Sequence, residues 1–193
     1  VSGPTPLPPL ATREQYEAMT GQTAPANIDD LLNAASAGIR RFCGWHIAPN
    51  IVQDLVLDGE GGRTLILPTL KLTGITSLVE VSGDWSWTAD PLVDLTWSFT
   101  GRVRKRSGCW TLELAGITTT ISHGFDLADV GDLSQLVLGI VARNVANPYG
   151  YTAQAVGGVS ISMPASSAGG ATGVSLTEPQ AVLIASYALE RKP

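Results

Sequence analysis

The residues that could do chemistry are few and scattered. His46 and His123 stand far apart, and with Cys43 and Cys109 they show no paired spacing of the kind a metal site needs. Cys43 falls beside an apolar helix stripe and Cys109 in an expected strand, so both read as buried, reduced thiols. Two cysteines cannot build a disulfide-dense scaffold. The acidic groups Asp29/Asp30 and Asp126/Asp129/Asp132 could in principle serve general acid–base catalysis. They fall near expected helix starts, however, where capping and compensation of the helix dipole account for them better. Gly59-Glu60-Gly61-Gly62 lacks the lysine and the following helix of a phosphate-binding loop, and it reads as a turn that needs positive φ. No nucleophile elbow or dinucleotide fingerprint is present. The expectation is a chain that is not an enzyme and uses no cofactor and no metal.

Two features rise above this background. Trp85, Trp87, Trp97 and Trp110 fall close together. On strands they could form a sugar-stacking platform, giving a carbohydrate-binding β module, or they could pack a core or a subunit interface. Packing is the stronger reading, because tryptophan buries a large area wherever it is used. The second feature is Arg102-Val103-Arg104-Lys105-Arg106, which holds four of the chain's twelve basic residues. Arg102, Arg104, Lys105 and Arg106 would repel one another unless solvated or paired. Protection of a strand edge, salt bridges to an acidic face of a neighbour, and contact with DNA phosphates all remain open.

Composition frames these features. Of 193 residues, 44% are apolar and only 15% charged, and the net charge is −5. The length suits one domain with a sizeable insertion, and the apolar content argues against a disordered chain. An acidic total gives no bulk affinity for nucleic acid. Charge this sparse fits a surface buried against copies of the same chain. The start, VSGPTPLPPL, has four prolines and no positive segment, which is not the pattern of a signal peptide. Residues 1–11 are expected to form an extended, poorly packed arm. No apolar run approaches the roughly 18 residues that a bilayer span requires, so no membrane is expected.

The elements follow from periodicity. Thr12 and Gln15 make a capping box, and Gly21 stops that helix. Ile28, Leu31, Leu32, Ala35, Ile39 and Phe42 recur at three- and four-residue spacing, predicting a helix over 28–43. From Asn50 the period becomes two. Leu55/Leu57 and Leu65/Leu67 flank the glycine-rich turn as a hairpin, and further strands are expected at 75–81, around Trp97 and Phe99, at 102–106, at 109–114 and at 117–123. Leu133 to Val145 carries a wide apolar stripe behind Asp132 as N-cap. A Gly/Ser-rich segment with a short alternating piece at 156–163 and a loop at 165–173 follows. Thr177-Glu178-Pro179-Gln180 then opens a last helix running to about Leu189. The fold class is α+β: a core of about four helices (12–49 and 125–193) with an inserted antiparallel sheet or small barrel (50–124).

This order, with Ile28–Trp45, Gly101–Trp110, Ile117–Gly124, Asp132–Val145, Gly157–Ser162 and Leu176–Leu189, resembles the head-to-tail adaptor (connector) proteins of tailed bacteriophages, especially the actinobacteriophage type. The shared pattern is a basic strand, a Gly-x-Trp turn, a strand ending in His-Gly, and an Asp-Leu opening a helix. Val130-Gly131 stands where that pattern has a proline, and Trp85–Pro91 has no counterpart. The resemblance implies a homo-oligomeric ring of twelve copies on the portal protein, with stopper and tail proteins beyond it and viral DNA passing through. It implies location in the virion neck after assembly in the host cytoplasm. Carried over residue by residue, Tyr187, Leu189, Arg191 and Lys192 would dock on the portal. Arg102, Arg104, Lys105 and Arg106 would face a neighbouring subunit or DNA.

Overall fold

A computed structural model describes residues 7–81, 86–88, 95–147, 153–156, 159–162 and 178–189. In chain order the elements are α1 (Arg13–Thr20), α2 (Ile28–Cys43), β1 (Ile51–Leu57), β2 (Thr64–Ile66), β3 (Leu72–Glu80), β4 (Ser86–Thr88), β5 (Leu95–Trp97), β6 (Arg102–Lys105), β7 (Ile117–His123), a 3-10 turn (Leu127–Val130), α3 (Gly131–Ala146), β8 (Ala153–Val156), β9 (Val159–Ser162) and α4 (Glu178–Ala185). The fold is α+β: among the described residues there are four helices and an inserted antiparallel β region. The chain divides into two compact units, one of Val1–Cys43 with Val130–Ala188 and one of Gly44–Asp129 with Leu189–Pro193. No helix among the described residues is long and apolar enough to cross a membrane.

In the helical unit, local chemistry sets the ends. The Thr12 hydroxyl accepts from the Gln15 backbone while the Gln15 side chain accepts from the Thr12 backbone, closing the expected capping box. Gly21 ends α1 in the left-handed region at φ 67°. Helix α2 spans the predicted 28–43, packs on α1, α3 and α4, and buries Ile28, Leu32, Ala35, Ile39 and Cys43, whereas Phe42 is exposed. Asp132 lies inside the first turn of α3 rather than capping it; the N-cap is Val130, which makes no side-chain cap bond. The 3-10 turn leads directly into this helix, so no separate side-chain cap intervenes. Helix α4 ends at Ala185, four residues short of expectation, and the chain continues in turns that bond Tyr187 N to Ile184 O. Among its described side chains Ile184 is buried and Val182 is exposed. The expected cap Thr177 and the loop 165–173 lie outside the described residues.

The arm expectation needs correction over residues 7–11. Leu10 and Ala11 are buried; Leu10 N donates to Ser36 Oγ (2.9 Å), and Ser134 Oγ donates to Leu10 O (2.6 Å). Arg40 donates to Pro8 O at 2.8 Å. Prolines leave this stretch few donors, and hydroxyls from α2 and α3 satisfy what remains. Residues 1–6 lie outside the described residues.

The β unit contains a four-stranded antiparallel sheet in the order β1-β7-β3-β4 and a three-stranded one in the order β2-β6-β5. Neither order closes on itself among the described residues, so the alternative of a small barrel is not what they form. The inner faces of the two sheets share one cluster, with Leu65, Leu95, Val103 and Trp110 meeting Leu78, Ile117 and Ile121. Strand β7 alternates as predicted, with Ile117, Thr119, Ile121 and His123 inward. Two register irregularities interrupt β3, which is why Leu72, Ile75 and Leu78 are inward at a spacing of three. The expected hairpin of Leu55/Leu57 with Leu65/Leu67 is absent: β1 pairs with β7, and β2 pairs with β6. The glycine-rich segment between them lies instead against residues 110–113, through Gly59 N to Glu113 O, Gly61 N to Thr111 O, and Trp110 N to Gly62 O. A Cβ at Gly59 would collide with the Thr111 carbonyl, so glycine here serves close approach of two backbones. The 109–114 segment is accordingly a loop and not a strand; Cys109 is exposed rather than buried.

Candidate functional site

The basic strand was the strongest feature in the sequence, and the fold sorts its residues. Strand β6 alternates, with Arg102 and Arg104 outward and Val103 and Lys105 inward, and Arg106 exposed just beyond. Lys105 therefore leaves the proposed surface cluster. Its Nζ lies 2.7 Å from Glu80 Oε2, with the two side chains 6% and 8% exposed. Glu80 Oε1 accepts from Thr111 N (2.8 Å), and Lys105 also donates to Cys109 O (3.3 Å) and sits over the Trp110 ring (4.4 Å). These contacts satisfy both charges where water is excluded. Because β6 has a partner on each side, edge protection does not explain its arginines. Arg102 and Arg104 stand opposite Ile66 and Thr64 on the outer face, and the Arg63 guanidinium donates to the Arg106 carbonyl.

No described pair of tryptophans forms a sugar platform. Trp110 is buried, with Nε1 donating to Arg63 O (3.2 Å), and Trp97 packs against the core. The side chains of Trp85 and Trp87 lie outside the described residues.

Of the four residues expected to dock on a portal, two are described. The Tyr187 hydroxyl donates to both carboxylate oxygens of Asp132 (3.0 and 2.9 Å). Burial, the hydrogen bond and the Asp132 charge push its phenol up to about 12. Leu189 is partly buried and lies 3.9 Å from where a Cβ on Gly44 would be. Arg191 and Lys192 lie outside the described residues. Cys43 is buried, its Sγ donating to Ile184 O at 3.7 Å, and burial pushes the thiol up to about 11.

His46 and His123 do come together, with ring centroids 4.3 Å apart, next to Trp45 and Phe125. His46 Nε2 pairs with Pro49 O (2.9 Å) and His123 Nε2 with Gln53 Oε1 (3.0 Å). His123 Nδ1 is buried with no hydrogen-bond partner among the described residues. Burial first, and then the neighbouring His46, lower His123 to about 4, so it is neutral at neutral pH. Among the described residues no group of three or more His, Cys, Asp or Glu could hold a metal ion.

The sequence reading missed the exposed leucines Leu112 and Leu114, because it assigned them to a strand. They are 77% and 82% exposed, on a loop whose other residues are tightly bonded. The signal available was the run of glycines at 59–62.

Comparison by sequence matches residues 10–168 to the head completion protein family. The chain belongs to that family. No curated protein matches it in sequence. Among the solved structures that share this chain's fold are two chains from particle necks. One is a chain of the "Neck of empty GTA particle computed with C6 symmetry", with TM-score 0.57 and 16% identity over 100% of this chain and 95% of that one. The other is a chain of the "Neck of native GTA particle computed with C12 symmetry", with TM-score 0.58 and 14% identity over 93% and 89%.

Proposed function

We propose that this chain is a head-to-tail adaptor, of the actinobacteriophage type, in the neck of a tailed-phage virion. Twelve copies close into a ring seated on the portal protein, stopper and tail proteins bind the far side, and viral DNA passes through. The role is structural and not enzymatic, and the ring is built after synthesis in the host cytoplasm. The observation that carries this reading is the family match over residues 10–168, supported by the fold shared with chains from particle necks. The C-terminal segment is the portal-docking element, through Tyr187, Leu189, Arg191 and Lys192, and the Tyr187 hydroxyl is held on Asp132. Arg102, Arg104 and Arg106 remain on a subunit-facing or DNA-facing surface.

Negative-stain microscopy of the chain co-expressed with its portal tests the proposal. A ring of density capping the portal is expected. A chain that stays single and never co-purifies with portal would overturn it.

A further inference from the structure

We propose that neighbouring copies meet head-to-tail through two unlike patches of the β unit: an apolar, acidic-rimmed end of the four-stranded sheet on one copy, and the basic outer face of the three-stranded sheet on the next. The proposal rests on the ring reading above and names its contact.

The first patch is a preformed projection. Loop 110–116 is held by Gly59 N to Glu113 O (2.9 Å), Gly61 N to Thr111 O (3.0 Å), Ala115 N to Asp58 Oδ1 (2.7 Å) and Thr111 N to the buried Glu80 (2.8 Å). A loop fixed this way loses little conformational freedom when it binds. It nevertheless presents Leu112 and Leu114 to solvent. Val81, 60% exposed, is bonded to this loop through Gly116 O. Val56, 64% exposed, is one residue from Leu57, which pairs with Ile117 where the loop re-enters the sheet. Large apolar side chains gathered at one end of a sheet mark a protein contact. Asp58 and Glu113, both exposed, border them.

The second patch has the opposite charge. Arg102 and Arg104 are two residues apart on one face of β6, roughly 7 Å along the strand. Ile66 stands opposite Arg102, and Phe99, in the turn before β6, is exposed. Either patch set against its own copy would oppose like charges. Set against each other, they join apolar to apolar and carboxylate to guanidinium. Two unlike surfaces on one chain are what a heterologous, ring-closing contact requires.

Two exposed-site variants separate the halves of the contact: Leu112→Ser/Leu114→Ser and Arg102→Glu/Arg104→Glu. Sedimentation equilibrium from micromolar to millimolar concentration reads the mass, and circular dichroism checks that each variant is folded. The wild-type average mass should rise with concentration and fall back with added salt. Each variant alone should stay at the mass of one chain. An equal mixture should form a complex of two chains and stop, because only one intact patch of each kind can meet. Variants that associate as the wild type does, or a mixture that stays single, would overturn the contact. A wild-type chain that remains single at every concentration would likewise overturn the contact, whereas the ring reading stands or falls on assembly with portal.

Discussion

Lys105 and Glu80 form an ion pair, 2.7 Å apart, buried between the two sheets of the β unit. Glu80 ends β3 and Lys105 ends β6, so the pair ties the last residue of one sheet's strand to that of the other. The Glu80 carboxylate also receives the Thr111 amide, which extends the tie to the loop carrying Leu112 and Leu114.

Removing one partner should therefore be costly. Lys105→Met leaves a buried carboxylate unpaired and is expected to lower stability by about 3–5 kcal/mol. The double variant Lys105→Met/Glu80→Gln should recover a large part of that loss. Arg104→Ala, on the outer face of the same strand, should stay within about 0.5 kcal/mol of wild type. Urea unfolding of the three variants checks the pattern; equal losses for Lys105 and Arg104 would contradict it.

His123 gives the fold an acid sensitivity. Its pKa is about 4 in the folded chain, where burial and His46 oppose protonation, against an ordinary value of 6.5. Between those values the unfolded chain binds more protons, so stability is complete above about pH 6.5 and declines as pH falls toward 4. The loss is on the order of 3 kcal/mol. The slope of stability against pH in this window should flatten in His123→Leu, whatever that variant's stability at pH 7.

Tyr187 and Asp132 make a second measurable anchor. Tyr187→Phe removes a hydroxyl that donates to a carboxylate and should weaken attachment of the α4 segment by roughly 1 kcal/mol. Amide exchange over 183–188 should speed up while α2 and β7 are unchanged. An ultraviolet titration compared between wild type and Tyr187→Phe should show Tyr187 ionising well above the usual range, near 12.

The segment before α1 is structural over its last residues. Leu10 is 2% exposed and bonded to Ser36 and Ser134, so Leu10→Ala should cost about 2–5 kcal/mol. Leu7→Ala, at a less buried position, should cost much less. Thermal denaturation distinguishes the two.

By itself, the amino-acid order determined what depends on near neighbours. The capping box at Thr12 and Gln15, the span of α2 and the alternation of β7 all follow from spacing within one element. Lys105 shares parity with Val103, yet its charge had grouped it with the exposed arginines until the fold turned it inward. Tertiary structure decided everything that depends on partners distant in sequence. β1 and β2 flank a glycine-rich turn yet pair with β7 and β6, because those glycines admit the 110–113 backbone at close range. A basic run became an exposed arginine pair and a buried ion pair only when Glu80 arrived from β3. His46 and His123, scattered in the chain, became one buried pair because the register β1-β7-β3 brings the ends of the insert together. Local pattern sets which way a side chain points; only the assembled sheets set what it meets.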